Sequence, residues 1–241
     1  MKMIYIIGIG PGGTKRMTLE AIEALRASDI IVGYKPYLSY VSEYIKDKET
    51  FSTGMTGEIE RCKKALELEK AGNIVSVIST GDAGQYGMAG PILELMDEGT
   101  EYKVIPGVSA QYSAASELGA PIMHDVATIS LSDLLTPYDL IMNRVRLASE
   151  GDFVISLYNP RSKSRVHHLE EAISIIRKYR DDNTPVGIVK NSGRDDTKIT
   201  LTTIDSIDYE KIDMMTIVIV GNSKSYIKND IMITPRGYEN K

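Results

Sequence analysis

The sequence predicts an α/β protein of two domains with mixed, mostly parallel sheets. Short β-branched runs such as 3–9 (MIYIIGI) and 73–79 (NIVSVIS) alternate with amphipathic helical stretches over the first half of the chain. Such alternation is typical of parallel sheets whose faces are covered by helices. With 241 residues, the chain is also longer than a typical domain of about 100–150 residues. Two domains therefore fit both the pattern and the length.

The first half gives the clearest sequence of elements. Leu19, Ile22 and Leu25 lie at helical spacing within 18–28. We predict strands at 3–9, 29–34, 73–79 and 101–107, and helices at 18–28, 57–71 and 91–99. The small residues of VSAQYSAASELG, after the last of these strands, suit a closely packed helix. We assign residues 1–120 to an N-terminal α/β domain.

The pattern changes after Gly119. The segment 119–125 (GAPIMHD) is typical of a linker. Strands are predicted at 126–131, 152–159 and 184–192, with helices near 137–149 and 165–179. The runs 198–204, 215–223 and 231–235 follow without long helices between them, which indicates antiparallel pairing and a mixed sheet. Residues 121–241 are assigned to a C-terminal α/β domain.

Composition excludes several classes of protein. The formal net charge is −5, from 28 Lys and Arg against 33 Asp and Glu, whereas nucleic-acid binders usually carry a basic excess. No apolar run approaches the roughly 18 residues of a membrane span, so we expect a cytoplasmic protein that binds neither nucleic acid nor membrane. The single cysteine, Cys62, forms no internal disulfide, and we expect a structural thiol. The three histidines lack metal-ligand spacing, so no metal site is predicted.

The N-terminal glycines fit the spacing of a dinucleotide-binding fingerprint. Gly8, Gly10 and Gly13 form G-x-G-x-x-G after a strand. However, the helical pattern begins only at Thr18, too late to place a pyrophosphate on the helix N-terminus. The next strand also ends in Tyr34 and lacks the acidic residue that holds a ribose. An NAD or FAD oxidoreductase therefore stays an alternative with two of its requirements unmet.

Glycine-rich turns follow four of the predicted strands, at 8–13, 81–84, 106–109 and 191–193. The carboxyl ends of strands line the ligand crevice of an open α/β sheet, so these turns favour a ligand in a cleft. Basic residues and tyrosines lie near the same turns, which suits a large planar polyanion. Solvated surface charge and half-buried packing are the alternative interpretations of these side chains.

The segments GIGPGG, STGDAGQYGMAG and VIPGVSA, in this order, resemble the tetrapyrrole methylases, the class III S-adenosylmethionine-dependent methyltransferases. The resemblance covers essentially the whole chain. LYNPRSKSR and MITPRGY are most similar to the members that methylate a precorrin-3-type tetrapyrrole at C-17. The resemblance implies a homodimer of two-domain subunits, each with S-adenosylmethionine in its interdomain cleft. It also implies a polycarboxylate substrate and C-17 methylation coupled to ring contraction in cobalamin biosynthesis.

Some alternatives stay open beside this resemblance. Another tetrapyrrole C-methyltransferase, acting at a different ring position, is the nearest of them. A non-catalytic binding module is a further one. No residue indicates whether the substrate carries cobalt or is metal-free.

The resemblance also implies roles for individual residues. The cofactor-binding residues match Pro11, Thr80, Gly81, Asp82, Gln85, Ser109, Ala110, Tyr158 and Ser192. The family's usual proline after the aspartate is Ala83 here, which loosens the expected turn. We expect Asp82 to bond a polar group of the cofactor.

Substrate-binding and catalytic candidates come from the charged and titratable residues. The basic residues expected to clamp the substrate carboxylates are Lys35, Arg144, Arg161, Arg165, Arg194 and Arg236. Ring contraction needs proton transfers, for which Tyr34, His124 and Asp125 are the candidates. Tyr34 stands where uroporphyrinogen-methylating members carry a catalytic aspartate, so their proton-transfer scheme is not carried over. For His124, a structural hydrogen bond in the linker is the alternative.

Overall fold

A computed structural model describes residues 2–238 of the chain. The chain divides into two compact units, Met1–Ala110 and Gln111–Lys241. The first unit contains a five-stranded sheet, and the second contains a five-stranded and a three-stranded sheet.

The first unit is built on an all-parallel sheet in the order β3-β2-β4-β1-β5. Its strands are β1 (Met3–Gly8), β2 (Ile30–Tyr34), β3 (Glu49–Thr53), β4 (Ile74–Ser79) and β5 (Tyr102–Ile105). Its helices are α1 (Leu19–Ala27), α2 (Lys35–Leu38), α3 (Ser42–Ile45), α4 (Glu58–Lys70) and α5 (Ala89–Leu95). Strand β3 and the short helices α2 and α3 were not predicted.

The two faces of β1 build two separate cores. Ile4 and Ile6 pack into the cluster that contains residues of α4 and α5, whereas Ile7 packs into the cluster that contains residues of α1. This alternation follows from the two-residue period of a strand. Because both faces are covered, β1 is apolar throughout, which is why its sequence signal was strong.

Helix α1 begins where the sequence predicts. The Thr18 hydroxyl accepts a hydrogen bond from the Ala21 N–H at 3.1 Å, as an N-cap residue does. A separate 3-10 turn, Thr14–Arg16, precedes it. The glycine-rich loop after β1 therefore does not run directly into a helix.

The second unit carries a mixed sheet in the order β10-β9-β11-β8-β7 and a small sheet in the order β12-β13-β6. Its strands are β6 (Gly119–Ala120), β7 (Val126–Ser130), β8 (Val154–Tyr158), β9 (Pro185–Lys190), β10 (Lys198–Thr203), β11 (Thr216–Val220), β12 (Tyr226–Lys228) and β13 (Ile231–Ile233). Its helices are α6 (Ala110–Leu118), α7 (Tyr138–Glu150) and α8 (His168–Ile176). In the larger sheet β7 and β8 pair in parallel and the other neighbours pair antiparallel, so the predicted mixed sheet is confirmed.

The unit boundary falls at Ala110, earlier than the boundary at residue 120 given by the sequence. Helix α6 packs with the second unit. The Ser192 hydroxyl donates to the Ser113 hydroxyl at 2.7 Å, and a Cβ added at Gly187 would lie 2.3 Å from Leu118 Cδ1. Strand β6, inside the predicted linker, pairs in parallel with β13. The composition change after Gly119 coincides with the end of α6.

Among residues 2–238, no helix combines the length and the apolar character needed to cross a membrane.

Cys62 is a residue of α4, and its side chain is fully buried in the core of the first unit. Burial raises the pKa of its thiol to about 11, and the negative charge of Glu58 adds to this while Arg61 opposes it. We predict that iodoacetamide at pH 8.5 labels the native protein roughly 100-fold more slowly than it labels glutathione, because little thiolate is present. Mass spectrometry measures the rate. The urea-unfolded chain should label at the glutathione rate, and equally fast labelling of the native protein would contradict the assignment.

Candidate functional site

Three turns meet at the carboxyl edge of the first unit's sheet. They are residues 8–13 after β1, 80–85 after β4 and 106–110 after β5, and we call them the turn cluster. Strands β4, β1 and β5 are neighbours in the sheet, which brings their carboxyl ends together. Gly10 and Gly81 exchange two backbone hydrogen bonds, at 3.0 and 2.7 Å. The predicted convergence of these three turns is therefore present in the structure.

Glycine is required where the turns touch. A Cβ added at Gly107 would lie 2.2 Å from the Gly81 carbonyl oxygen and 2.6 Å from the Gly8 carbonyl oxygen. Gly81 itself has φ +70°, in the left-handed region that favours glycine. The turn cluster is thus held by direct backbone packing.

The Asp82 carboxylate ties two of the turns together. One oxygen, Oδ1, accepts from the N–H groups of Gly84 at 2.8 Å and Gln85 at 3.1 Å. The other, Oδ2, accepts from the Gly107 N–H at 3.0 Å. Three of about four lone-pair sites are thereby used. Asp82 shapes the turn cluster, and a direct bond to a ligand has at most one site left.

The other predicted binding residues of this unit lie in the same cluster. Pro11 is buried, Thr80 and Gln85 are half-buried, and Ala110 is both the last residue of the unit and the first of α6. Ser109 is 4% exposed. Its hydroxyl oxygen is buried and has no hydrogen-bond partner among residues 2–238. A buried hydroxyl normally has a partner, so Ser109 is a candidate ligand contact.

Tyr34 ends β2, the neighbour of β4, and so lies at the same sheet edge as the turn cluster. Its ring meets the Tyr37 ring edge-on, with centroids 5.0 Å apart.

The buried Arg61 is the neighbour of Tyr34 from α4, since its guanidinium carbon lies 6.0 Å from the Tyr34 ring centroid. Arg61 is 3% exposed and donates to Thr53 Oγ1 and the Gly54 carbonyl. Sequence reasoning missed Arg61, because nothing in a charged helix marks one cation as buried. Lys35, the next residue after Tyr34, is exposed.

Tyr158 and Ser192 lie at one edge of the second unit's larger sheet, in a strand-end network with Gln111, Ser113 and Thr128. The Tyr158 hydroxyl accepts from the Gln111 N–H at 2.9 Å. The Gln111 side chain accepts from Thr128 Oγ1, and Ser192 donates to Ser113. Gln111 and Ser113 could have been inferred from their place just after VIPGVSA, whereas Thr128 carries no sequence signal.

Two of the predicted substrate-binding arginines are paired within the protein. Arg161 donates to the Tyr209 carbonyl at 2.5 Å and to Glu210 at 2.7 Å. Arg165 lies 4.0 Å from Asp133. A hydrogen bond from His168 at 3.0 Å lowers the pKa of the Asp133 carboxyl. These contacts organise the loops after β7 and β8.

The remaining predicted residues lie in three different places. Arg194 hydrogen-bonds within its own turn, to Asn191 and Thr197. Arg144 is exposed on α7, away from any strand end. His124, Asp125 and Arg236 line a cavity where β7 and β8 begin, the edge opposite Tyr158 and Ser192. The structure therefore does not bring all six basic residues to one crevice.

No group of three or more His, Cys, Asp or Glu side chains in the described part of the chain is placed to hold a metal ion.

The sequence of the chain also matches that of a known protein family. The sequence model of the family described as Tetrapyrrole (Corrin/Porphyrin) Methylases matches residues 3–208. The chain belongs to the tetrapyrrole methylase family. The family resemblance found in the three glycine-rich segments is thereby confirmed. Family membership, together with the late start of α1, also removes the dinucleotide interpretation of Gly8, Gly10 and Gly13.

Relatives within the tetrapyrrole methylase family match the whole chain. The "Probable cobalt-factor III C(17)-methyltransferase" of Salmonella typhimurium is 51% identical, over 98% of this chain and 99% of the relative. The "Precorrin-3B C(17)-methyltransferase" of Sinorhizobium sp is 37% identical, over 98% and 96%. Some relatives are longer. The chain spans 45% of the "Cobalt-factor III methyltransferase" of Priestia megaterium, to which it is 46% identical.

Solved structures of methyltransferases share the fold of this tetrapyrrole methylase. The structure titled "Crystal structure of the methyltransferase CobJ" matches with a TM-score of 0.93 and 32% identity, over 98% of this chain and 100% of that chain. The uroporphyrin-III C-methyl transferase from Thermus thermophilus, complexed with S-adenyl homocysteine, matches with a TM-score of 0.71 over 91% and 92% of the two chains. At 20% identity, the second likeness concerns the fold alone.

The Asp82 contacts predict a stability effect. Asp82→Ala removes the acceptor of three backbone N–H groups and should lower the free energy of unfolding by roughly 2–3 kcal/mol. Asp82→Asn keeps one oxygen acceptor and should fall between Ala and the parent. Urea denaturation followed by circular dichroism measures both. Asp47→Ala, at an exposed carboxylate, is the matched control. Equal urea midpoints for Asp82→Ala and Asp47→Ala would refute the role given to Asp82.

Proposed function

We propose that this protein transfers a methyl group from S-adenosylmethionine to C-17 of a precorrin-3-type tetrapyrrole, coupled to ring contraction, in cobalamin biosynthesis. The observation that carries the proposal is the 51% identity to the Salmonella typhimurium relative named for cobalt-factor III C(17) methylation, over nearly the full length of both chains. A different ring position is the alternative, and product analysis separates the two.

We propose the cobalt-containing substrate. The relative named for cobalt-factor III is 51% identical to this chain, whereas the relative named for precorrin-3B is 37% identical. The higher identity favours the cobalt form. The metal would arrive as part of the substrate, so a resident metal site is not needed.

The turn cluster fits the cofactor. Ser109 offers a buried hydroxyl with no partner among residues 2–238. Thr80 and Gly81 directly precede Asp82, whose carboxylate joins their turn to the turn that contains Ser109 and Ala110. We assign cofactor contacts to these residues with Pro11 and Gln85, and in the second unit to Tyr158 and Ser192. When bound, the cofactor supplies a sulfonium-activated methyl group.

The protein's contribution to methyl transfer is mainly positioning. Direct displacement at a methyl carbon needs no covalent enzyme nucleophile, and alignment of the reactants can supply several kcal/mol of the barrier reduction. The hydrogen bonds from Gly84, Gln85 and Gly107 to Asp82 fix the turns before any ligand arrives. A preorganised wall of this kind avoids the cost of ordering the loop during binding.

For proton transfer we favour Tyr34 over His124 and Asp125. Tyr34 lies at the sheet edge of the turn cluster, whereas His124 and Asp125 line the cavity at the far edge of the second unit's sheet. The Tyr34 ring also lies 6.0 Å from the guanidinium carbon of the buried Arg61. We further propose a cytoplasmic homodimer, as the family resemblance implies, and sedimentation velocity tests the oligomeric state.

Ligand binding and product analysis test the proposed function. Isothermal titration should show that the protein binds S-adenosylhomocysteine and does not bind NAD⁺, and that Asp82→Ala weakens the first interaction. Incubation with cobalt-factor III and ¹³C-methyl S-adenosylmethionine should give a product labelled at C-17 by NMR. Label at another ring carbon would select the alternative position. No S-adenosylhomocysteine binding at millimolar ligand would overturn the proposal.

Removing one hydroxyl tests the role of Tyr34. Tyr34→Phe keeps the ring contacts with Tyr37 and Arg61 but removes the hydroxyl group. The rate of ring contraction should fall by about 100-fold or more, while the affinity for S-adenosylhomocysteine stays within about twofold. Tyr44→Phe, on α3, is the control. An unchanged contraction rate in Tyr34→Phe would assign proton transfer elsewhere.

A further inference from the structure

The second unit contains a cavity to which the proposed cofactor binding and proton transfer assign no residue. It has a volume of about 370 Å³ and is formed by residues 124–125, by 151–153, by Asn222 with Lys224, and by 235–237. We call it the edge cavity. Its volume lies within the range of about 300–1,000 Å³ typical of small-molecule sites.

The small sheet explains why distant segments meet at the edge cavity. Strand β6 leads into His124, and β13 leads into Arg236. The two strands pair in parallel, Met232 with Gly119, and the Thr234 N–H donates to the Ala120 carbonyl at 3.1 Å. The backbone register therefore fixes the approach of segments more than a hundred residues apart in sequence.

Asn222 supplies a hydrogen-bond donor to this cavity. The residue is 5% exposed. Its Oδ1 accepts from the Lys224 N–H at 3.0 Å and from the Ser225 hydroxyl at 3.2 Å. The oxygen is thus occupied by its own turn, and the amide nitrogen is the group left for the cavity. Because Asn222 lines the cavity, its NH₂ group can donate to an oxygen atom of a ligand there.

The other polar groups of the edge cavity are also mainly donors. His124 Nδ1 accepts from the Asp125 N–H at 2.9 Å, so a neutral imidazole carries its proton on Nε2. Lys224 and Arg236 bring two positive charges. Asp125 brings one negative charge, and its side chain is 77% exposed. Lys224 and Arg236 are exposed as well, so solvent screens all three charges.

The remaining carboxylate of the cavity wall, Asp152, is already neutralised. It accepts from the Ser223 N–H at 2.9 Å and the Ser223 hydroxyl at 2.7 Å. The Arg180 guanidinium lies 3.2 Å from it. With Asp152 neutralised, the cavity lining keeps a net positive charge, from Lys224 and Arg236 against Asp125.

We infer that the edge cavity binds the carboxylate group of an organic anion, held by the Asn222 amide and by Arg236 and Lys224. The ring of Phe153 and Pro235 give the cavity an apolar wall, which suits a carbon skeleton better than an inorganic ion. The cavity and the strand-end network lie at opposite ends of β7 and β8, roughly 13 Å apart along five residues of strand. The carboxylate belongs either to a tetrapyrrole or to a free small acid.

Two variants test the edge cavity with the full chain. Asn222→Asp keeps the oxygen that the Lys224 N–H and Ser225 hydroxyl need, and replaces the donor by a negative oxygen. Arg236→Gln removes one cation at an exposed position and tests the site independently if Asn222→Asp unfolds. Lys63→Gln, an exposed cation on α4, makes the same charge change elsewhere. Thermal unfolding checks that each variant is folded.

Isothermal titration uses uroporphyrin as the tetrapyrrole probe, succinate as the free acid and inorganic phosphate as the comparison anion. We expect about tenfold weaker binding of one carboxylate probe in Asn222→Asp, about threefold in Arg236→Gln and no change in Lys63→Gln. Loss for uroporphyrin alone identifies a tetrapyrrole, and loss for succinate identifies a free acid. Equal affinities in all variants, or variant-dependent binding of phosphate alone, would overturn the inference. S-adenosylhomocysteine affinity should be the same in the parent and the three variants. This measurement therefore distinguishes a failure of the proposed function from a failure of the edge-cavity inference.

Discussion

The close contact of backbone turns at Gly8, Gly81 and Gly107 is the constraint on which the first unit's site depends. Three parallel strands end side by side, and their turns touch so closely that a Cβ at Gly107 would overlap a carbonyl oxygen. Asp82 then binds N–H groups from two of these turns. Because backbone packing fixes the positions of Thr80 and Ser109, few side-chain rotamers have to be ordered when a ligand binds.

In the second unit, the direction of the strands decides which side chains meet at each edge of the sheet. Strands β7, β8 and β9 run the same way, because β11 is antiparallel to both β8 and β9. Their carboxyl ends carry the strand-end network at one edge. The starts of β7 and β8, and the end of β11, lie at the other edge and frame the edge cavity. The two edges of one sheet therefore carry different groups of side chains, the strand-end network at one and the edge cavity at the other.

Local sequence patterns allowed most of the fold to be predicted. The strands that were not predicted, β3 and β6, were missed for physical reasons. The buried strands β1 and β4 gave strong signals because both of their faces are apolar. Strand β3 (ETFST) was missed because it is an edge strand with polar and half-exposed residues, so alternation is weak. Strand β6 has two residues and depends on pairing with β13, a long-range contact that no local pattern encodes.

The meeting of the turns could be predicted from local patterns, whereas the partners of the charged side chains could not. Turns after parallel strands must meet at one edge, so the turn cluster followed from the order of elements alone. Whether a cation has an internal partner depends on which loops become neighbours. Arg161 is committed to Glu210, forty-nine residues away, and Arg61 is buried beside Tyr34, while Arg236 reaches the edge cavity through β13. Charge near a turn thus identifies candidates, but the tertiary pairing decides which of them can bind.

The distribution of these pairings bears on how a net-negative protein holds a polyanion. A substrate carboxylate at Arg161 would have to compete with Glu210, already 2.7 Å away, and a ligand near Arg165 would meet Asp133. Exchanging one carboxylate for another gains little free energy, since the displaced anion must be resolvated. Within residues 2–238, neither Lys224 nor Arg236 forms an ion pair, although Asp125 lines the same cavity. A cation without an ion-pair partner can contribute more to binding an acidic ligand than one that is already paired, because no bound carboxylate has to be displaced.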